Sequence, residues 1–268
     1  MKSYTLKELQ EIELQILIDF HGFCAEHGLQ YYLIGGALLG AAKYQKCILW
    51  DDDVDVAMPR EDYERLKQIF KSDRYFLQNG QSDPVFSRCI QKIRLNDTVI
   101  AEKHCIGLDM HQGIYIDIFP IDFVSHDCPK TLKKRASAIR HLMSLRAIKG
   151  GYHSGRYGAV KKLIRMLLPI SAAQIDKRID KLCTLENGKE RKYGILWLHN
   201  YPWHKQLHEA KVFGEGVKCR FCGRDFVAPA DMDGFLRKVF GGNYIEEPKL
   251  DKQKCPHNYM NIKLDNAE

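Results

Sequence analysis

The side chains best suited to chemistry lie together in Trp50-Asp51-Asp52-Asp53-Val54-Asp55-Val56, where four of five consecutive residues are carboxylates. In an extended chain side chains alternate, so Asp51, Asp53 and Asp55 share one face while Asp52, Val54 and Val56 take the other. Like charges at that spacing repel, and the flanking Trp50 and valines argue against a solvated acidic turn. A divalent cation relieves the repulsion, and hard carboxylate oxygens suit Mg²⁺ or Mn²⁺. A second strand, from Gly113 to Pro120, turns Ile114, Ile116 and Ile118 one way and Asp117 the other, with Tyr115 and Phe119. An Asp in so apolar a strand is costly to bury without a cation or donors. Asp117 is therefore expected as a third metal carboxylate or as the base for an attacking hydroxyl, against the plainer reading of a hydrogen-bonded strand-end acid.

Other constellations are less specific. Gly35-Gly36 ends the short apolar strand Tyr31-Tyr32-Leu33-Ile34 and leads into a helix from Ala37 to Lys43, a turn that lets backbone N–H groups approach a phosphate. Lys92 and Arg94 alternate with Ile93 and Leu95, so they share a face and are candidates for nucleotide phosphates, against a solvated sheet face. Cys219, Cys222, Cys255 and His257 have the ligand types of a Cys₃His zinc site, but a second Cys-x-x-Cys is missing and two small thiols in a hairpin is the simpler reading. Trp197, His199, Trp203, His204 and His208 form an aromatic and imidazole cluster that fits either ordinary packing or a cage for a quaternary ammonium.

These residues need elements to position them. Thr5-Leu6-Lys7-Glu8 has capping-box form, and Leu6, Leu9, Ile12, Ile16, Leu17 and Phe20 carry a helical stripe to a stop near Gly28. Val54, Val56 and Met58 mark a strand, and Pro59 opens a helix through Glu61, Tyr63, Leu66 and Phe70. Runs at 89–95 and 113–119 are further strands. After Pro120 the chain turns helical and basic, and after Lys192 it reads as irregular. The fold class is α/β (α+β), a mixed-sheet core with a helical, basic second half. A soft boundary divides it into 1–125, the catalytic core, and 126–268, the basic helical segment and an irregular part that completes the site.

Composition bounds the function. The chain has 268 residues, 45% of them hydrophobic and 28% charged, enough for a substantial core and too apolar for disorder. No apolar run approaches the roughly 20 residues that cross a bilayer, and no signal-like segment opens the chain, so a cytoplasmic protein is expected. Nine cysteines in apolar surroundings suit a reducing compartment. The net charge of +7 is unevenly spread: from Lys130 to Ile170 there are eleven basic residues and no Asp or Glu. Apolar residues at helical spacing make this stretch two basic amphipathic helices broken at Gly150-Gly151. Such helices suit the inner face of a membrane or another anionic surface, or form a solvated layer over the core. Nucleic acid is not expected, because no zinc-finger, RNP or helix-turn-helix pattern accompanies the charge.

The order strand, Gly-Gly, short helix, Asp-x-Asp strand, lone-Asp strand resembles the nucleotidyltransferase superfamily, the fold of polymerase β. More closely, Tyr32-Leu33-Ile34-Gly35-Gly36-Ala37-Leu38-Leu39-Gly40-Ala41-Ala42-Lys43, Trp50 to Arg60 and Asp62-Tyr63-Glu64 resemble the LicD family, to which fukutin-related proteins are more distant relatives. The similarity continues through Lys92 to Thr98, Gly113 to Pro120 and Phe221-Cys222-Gly223-Arg224-Asp225-Phe226. It implies transfer of a phosphorylated alcohol, typically phosphocholine from CDP-choline, onto a sugar hydroxyl of a cell-surface glycan or its lipid-linked precursor. It further implies Asp53 and Asp55 as the metal pair, Asp51 as an accessory carboxylate, Asp117 as the third acid and Lys43 as a cation near the phosphates. The sequence departs from the family where Lys43-Tyr44 replaces Arg-His, Leu49 replaces Pro and Cys222 replaces Glu. Transfer of a nucleoside monophosphate, or a silent membrane- or glycan-binding module, are the alternatives.

Overall fold

Thr5 opens the first long helix with a reciprocal cap. Its hydroxyl accepts the Glu8 N–H at 3.1 Å, and the Glu8 carboxylate accepts the Thr5 N–H at 2.7 Å. Strand β1 (Tyr4–Thr5) thus passes into α1 (Leu6–His27), which stops at Gly28 with φ 59°, a conformation glycine adopts freely. The computed structural model describes residues 3–100, 102–151, 158–249, 253, 255, 257, 259 and 261–263.

The first half continues through β2 (Tyr32–Leu33), α2 (Gly35–Tyr44), β3 (Asp55–Pro59), α3 (Arg60–Ile69), β4 (Tyr75–Gln78), β5 (Gln91–Leu95), a 3₁₀ turn at Lys103–Cys105, and β6 (Tyr115–Val124). The second half comprises α4 (Pro129–Lys149), α5 (Gly158–Leu167), α6 (Ala172–Cys183), β7 (Tyr193–Ile195), α7 (Trp203–Gln206), β8 (Leu207–Glu209) and α8 (Ala210–Phe213). It ends in the hairpin β9 (Val217–Phe221) and β10 (Arg224–Ala228), α9 (Met232–Phe240), and β11 (Ile262–Lys263), which pairs with β1.

The main sheet has the order β2-β3-β6-β5-β4, with β7 on the far end of β6 and β8 on β7. Only β3 and β6 run parallel in it; the remaining pairs are antiparallel. This is the mixed α+β core expected from the sequence. Ile114, Ile116, Ile118 and Ile121 are fully covered, and Leu9, Leu17 and Phe20 of α1 join the same core.

Two stretches differ from the sequence reading. Strand β6 does not end at Pro120 but runs on to Val124. A proline removes a ladder donor, and the structure tolerates it because β5 leaves β6 at Ile118 while β7 joins only at Asp122. From Tyr193 to Phe240 the chain is not irregular: short strands and helices fill it. Three-residue strands are too brief to show a period, and the hairpin turn is Cys222-Gly223, with φ 49° and 78°, where Asn-Gly is the usual signal.

Buried ion pairs tie the helices to the sheet. Arg60 grips Asp122 through two bonds of 2.8 Å, and Asn187 donates a third to Asp122 at 2.9 Å. Burial alone would lower the Arg60 pKa, but Asp122 outweighs it and raises it. Asp122 is fully buried. Asp122→Asn is therefore expected to cost about 3 kcal/mol in denaturant unfolding, because it leaves the buried guanidinium with only the more exposed Glu64 and Asp180 as charged partners, whereas Arg60→Met with Asp122→Leu costs less. Equal losses in both variants would show that packing rather than charge governs this site.

His208 of β8 is 1% exposed, stacks on Phe235 at 4.3 Å, and leaves Nε2 without a hydrogen-bond partner. Burial, then Lys238, pushes its pKa down to about 3. A base whose folded pKa lies below its unfolded value binds more protons when unfolded, so stability is lost as pH falls from about 6.5 to about 3. At pH 5 this amounts to about 2 kcal/mol, and His208→Phe should remove about that much of the stability lost between neutral pH and pH 5, flattening the dependence of unfolding free energy on pH. An unchanged slope would assign acid sensitivity to other groups.

Candidate active site

The register of the parallel pair sets the site. Asp55 lies opposite Asp117, and Asp117 lies opposite Lys92 on the next strand, so three charged side chains form one row across β3, β6 and β5. Around this row a cavity of about 400 Å³ is lined by Gly35, Gly36, Trp50, Asp51, Asp53, Asp55, Arg88, Asp117, Phe119, His199, Tyr201, Phe240 and His257, among others. Strand pairing begins only at Asp55, so Asp51 and Asp53 sit in the preceding loop. Gln10 of α1 holds that loop, donating to Ile48 O at 2.9 Å and to Asp51 O at 2.7 Å. The alternation still holds: Asp51, Asp53 and Asp55 line the cavity, while Asp52, Val54 and Val56 are buried.

The glycine turn serves the carboxylates directly. A Cβ on Gly36 would overlap the Asp51 carboxylate, and one on Gly35 would lie 2.7 Å from Asp55 Oδ2. Gly35 also has φ 57°, so both space and backbone require glycine there. The acids accordingly pack against the N-terminal turn of α2, where unpaired N–H groups favour negative charge.

Burial and then carboxylate repulsion govern the electrostatics. Burial, then Asp55, Asp51 and Asp117, holds the Asp53 pKa well above the usual range. Burial, then Asp55 and Asp52, raises Asp51 as well. Glu13 on α1 is 1% exposed with Oε1 unpartnered; burial, then Asp53, Asp52 and Asp51, raises it strongly. Its sequence signal is its place four residues after Leu9 and four before Leu17 on the buried stripe. Asp52 has a different fate: fully buried, it accepts from His257 Nδ1 at 2.8 Å, from the His257 N–H at 3.0 Å and from the Cys255 thiol. Burial opposes a charged His257, but Asp52 outweighs it and raises the imidazole pKa. Among the described residues, Asp52, Asp53 and His257 have ligand atoms within 4.8 Å of one another, yet Asp52 and His257 are engaged with each other. Asp51, Asp53 and Asp55 remain the oxygen donors facing the cavity.

Several expected residues lie elsewhere. Lys43 is at the opposite end of α2 from the glycine turn, donating to Glu246 O at 3.0 Å and paired with Glu247, so its charge is spent away from the cavity. Arg94 is buried and committed to Gln78 Oε1 and Gly113 O, a structural guanidinium rather than a phosphate ligand. Lys92 Nζ lies 2.8 Å from Asp117 Oδ1, off hydrogen-bond alignment, over the Tyr115 ring. Its ammonium thus serves Asp117 rather than a phosphate.

The four zinc candidates are not brought together. Cys222 Sγ lies 3.1 Å from Cys47 Sγ and accepts the Cys47 N–H at 3.2 Å, whereas Cys255 and His257 attach to Asp52. Of the aromatic and imidazole cluster, only His199 lines the cavity, with Nε2 at 3.8 Å from Asp55 Oδ2 and its ring stacked on Tyr201 at 5.0 Å. Trp197 is buried beside Arg135, Trp203 packs against His204, and His208 lies under Phe235. Arg88, Tyr201 and Phe240 were not evident from the sequence; they come from loops and a helix end whose place at the site depends on tertiary folding.

Residues 28–138 match the family described as LicD/FKTN/FKRP, nucleotidyltransferase domain. The chain is 25% identical over 264 residues to the lipopolysaccharide cholinephosphotransferase LicD of Haemophilus influenzae, covering 96% of this chain and 97% of that protein. An uncharacterized protein of Rickettsia typhi is 27% identical over 143 residues, covering 50% of this chain and 42% of its own length. The glycine turn, the acidic loop and the Asp117 strand all fall within the matched span, so residues 28–138 resemble a nucleotidyltransferase domain of the LicD family.

Proposed function

We propose that this protein is a phosphotransferase that moves phosphocholine from CDP-choline onto a sugar hydroxyl of a cell-surface glycan or its lipid-linked precursor. The observation that carries this reading is the convergence of Asp51, Asp53, Asp55 and Asp117 on one cavity beside a glycine turn, in a chain similar along 96% of its length to a lipopolysaccharide cholinephosphotransferase. Asp53 and Asp55, with Asp51 as accessory, are the residues that would hold Mg²⁺ or Mn²⁺. Their oxygens are the hard donors such ions take, and their mutual repulsion leaves the cavity short of positive charge. When bound, the ion neutralises charge on the transferred phosphoryl group and the departing nucleotide.

The chain's own residues supply the remainder. Arg88, in the cavity wall, faces the donor phosphates, a role guanidinium geometry suits. Trp50, Tyr201 and Phe240 give the cavity an aromatic wall that favours a quaternary ammonium. Asp117, positioned by Lys92, takes the proton of the acceptor hydroxyl. The hydroxyl oxygen bonds to phosphorus as the bond to CMP breaks, in line and on the opposite side.

The test is mass spectrometry of the products formed from a panel of CDP-alcohols and a lipid-linked glycan extract. CMP release with an acceptor heavier by phosphocholine supports the reading. An acceptor that gains a nucleoside monophosphate instead makes the chain a nucleotidyltransferase, and no reaction with any donor leaves a binding module.

Asp53→Asn and Asp55→Asn each preserve shape and remove a charge, so each should lower CMP release by about a hundredfold or more. The cation-free Asp53→Asn protein should melt at or above the wild-type temperature, because repulsion is relieved. Turnover close to wild type in either variant would remove that residue from the metal pair.

Asp117→Asn should lower kcat by about a hundredfold while leaving donor KM within a few-fold, as expected for loss of a general base. Arg88→Met should do the reverse and raise donor KM. A large KM effect with unchanged kcat in Asp117→Asn would make it a donor-binding group.

A further inference from the structure

Helix α5 is unusual among the described helices because it buries none of its residues. Val160, Leu163, Met166 and Leu167 are 53%, 49%, 75% and 66% exposed, and Leu168 follows at 38%. Exposed apolar residues scattered singly are ordinary, but a contiguous set marks a contact surface. At about 100° per residue, Val160, Leu163, Ile164 and Leu167 fall on one side of the helix while Lys161, Lys162 and Arg165 fall on the other. No helix of the described residues is long and apolar enough to cross a membrane, so a covering lipid phase would be met from its surface.

The charge of the surrounding segment selects what covers the apolar side. Arg135 and Arg146 turn inward: Arg135 pairs with Glu186, and Arg146 bonds Asp176 at 2.8 Å. Lys130, Lys133, Lys134, Arg140, Lys162 and Arg165 stay exposed, and the sequence from 130 to 170 holds no Asp or Glu, so the segment presents one sign of charge. A second copy would bring the same sign of charge to the same face and be repelled. An anionic lipid surface offers both an apolar phase and opposite charge.

We propose that α5 docks the protein on an anionic lipid surface, with Val160, Leu163, Met166 and Leu167 inserted among the acyl chains and Lys161, Lys162 and Arg165 at headgroup level. The docking surface also connects to the cavity. A hollow shares Arg88, Phe119 and Asn200 with the catalytic cavity and continues to Met143 and Ala147 of α4, the helix against which α5 packs. An acceptor anchored in lipid thus reaches the carboxylates along α4. That route rests on the transferase reading above; the docking does not.

The test is sedimentation of the full chain with vesicles of phosphatidylglycerol and phosphatidylcholine, or of phosphatidylcholine alone. Wild type should pellet with the anionic vesicles at low salt, and release at 1 M salt, where the Debye length is about 3 Å. Leu163→Gln, Met166→Gln and Leu167→Gln together should weaken partitioning about tenfold or more, as should Lys161→Gln, Lys162→Gln and Arg165→Gln together. Both sets lie on a helix that buries nothing, and circular dichroism with thermal melting checks that each variant folds. No pelleting of wild type at low salt, equal pelleting of wild type and both variants, or a lipid-free dimer by light scattering that the apolar variant dissolves would each overturn the proposal. Vesicle binding without any transferase activity would sink the proposed function and leave the docking intact.

Discussion

Repulsion between carboxylates confined beside one another is the constraint to which the rest of the site answers. Asp55 and Asp117 are neighbours through the β3–β6 register, and Asp51 and Asp53 are brought to them by the loop that enters β3. Each nearby feature limits the cost. Glycines at 35 and 36 leave room for two of the acids, Gln10 fixes the loop backbone, Lys92 meets Asp117, and His257 meets Asp52. What stays uncompensated is the charge of Asp51 and Asp53, whose pKa values remain raised. Residual strain of this kind at a cavity is what a cation-binding site requires, because charge already satisfied by the protein gives an ion nothing to gain.

The basic segment does two jobs that composition alone merges. Arg135 and Arg146 turn inward and fasten α4 to Glu186 and to Asp176 of α6, and Arg146 also donates to Pro84 O and Phe86 O. Glu186 is pulled down to about 2: burial works against this, and the Arg135 and Ser125 hydrogen bonds overcome it. The rest of the positive charge stays at the surface. Thus α4 is at once a wall of the core, through Leu132, Ala136 and Ile139, and the support for α5.

Legibility in the sequence followed the range of the interactions. Helix α1, its capping box and its glycine stop were readable because all their determinants lie within a few residues. The alternation of Asp51, Asp53 and Asp55 survived even though pairing starts at Asp55, because an extended loop projects side chains as a strand does. Lys92 and Arg94 were read as phosphate ligands because spacing gives a face but not the partner waiting on it, Asp117 and Gln78 respectively; Lys43 was placed there by the family resemblance and meets Glu247. Glu13 and Arg88 were not anticipated: a charged residue on the apolar stripe of α1 shows its burial only by position, not by type, and Arg88 is an ordinary loop arginine until the sheet assembles beside it. Of the strands after residue 192, β7 and β8 were too short to show a period, and the β9–β10 hairpin turns at Cys222-Gly223 rather than at an Asn-Gly signal.

Asp52 explains why four acids occur where fewer would serve the cavity. Its side chain is fully buried outside the cavity lining, so as an isolated charge it would be costly. The C-terminal segment removes that cost by delivering His257 and Cys255 to both of its oxygens. Folding of the tail is thereby coupled to the geometry of the acidic loop across about 200 residues of sequence. The coupling runs in both directions: Asp52 holds the tail's His257 and raises its imidazole pKa, and the same ring lies beside Asp53, with Nδ1 at 3.7 Å. Tyr115 and Tyr259 share a hydrogen bond of 2.9 Å and fix the same tail to the strand that carries Asp117. The two acidic elements, loop and strand, are therefore held in register at one side by the sheet and at the other by the closing tail, so neither can shift without the other.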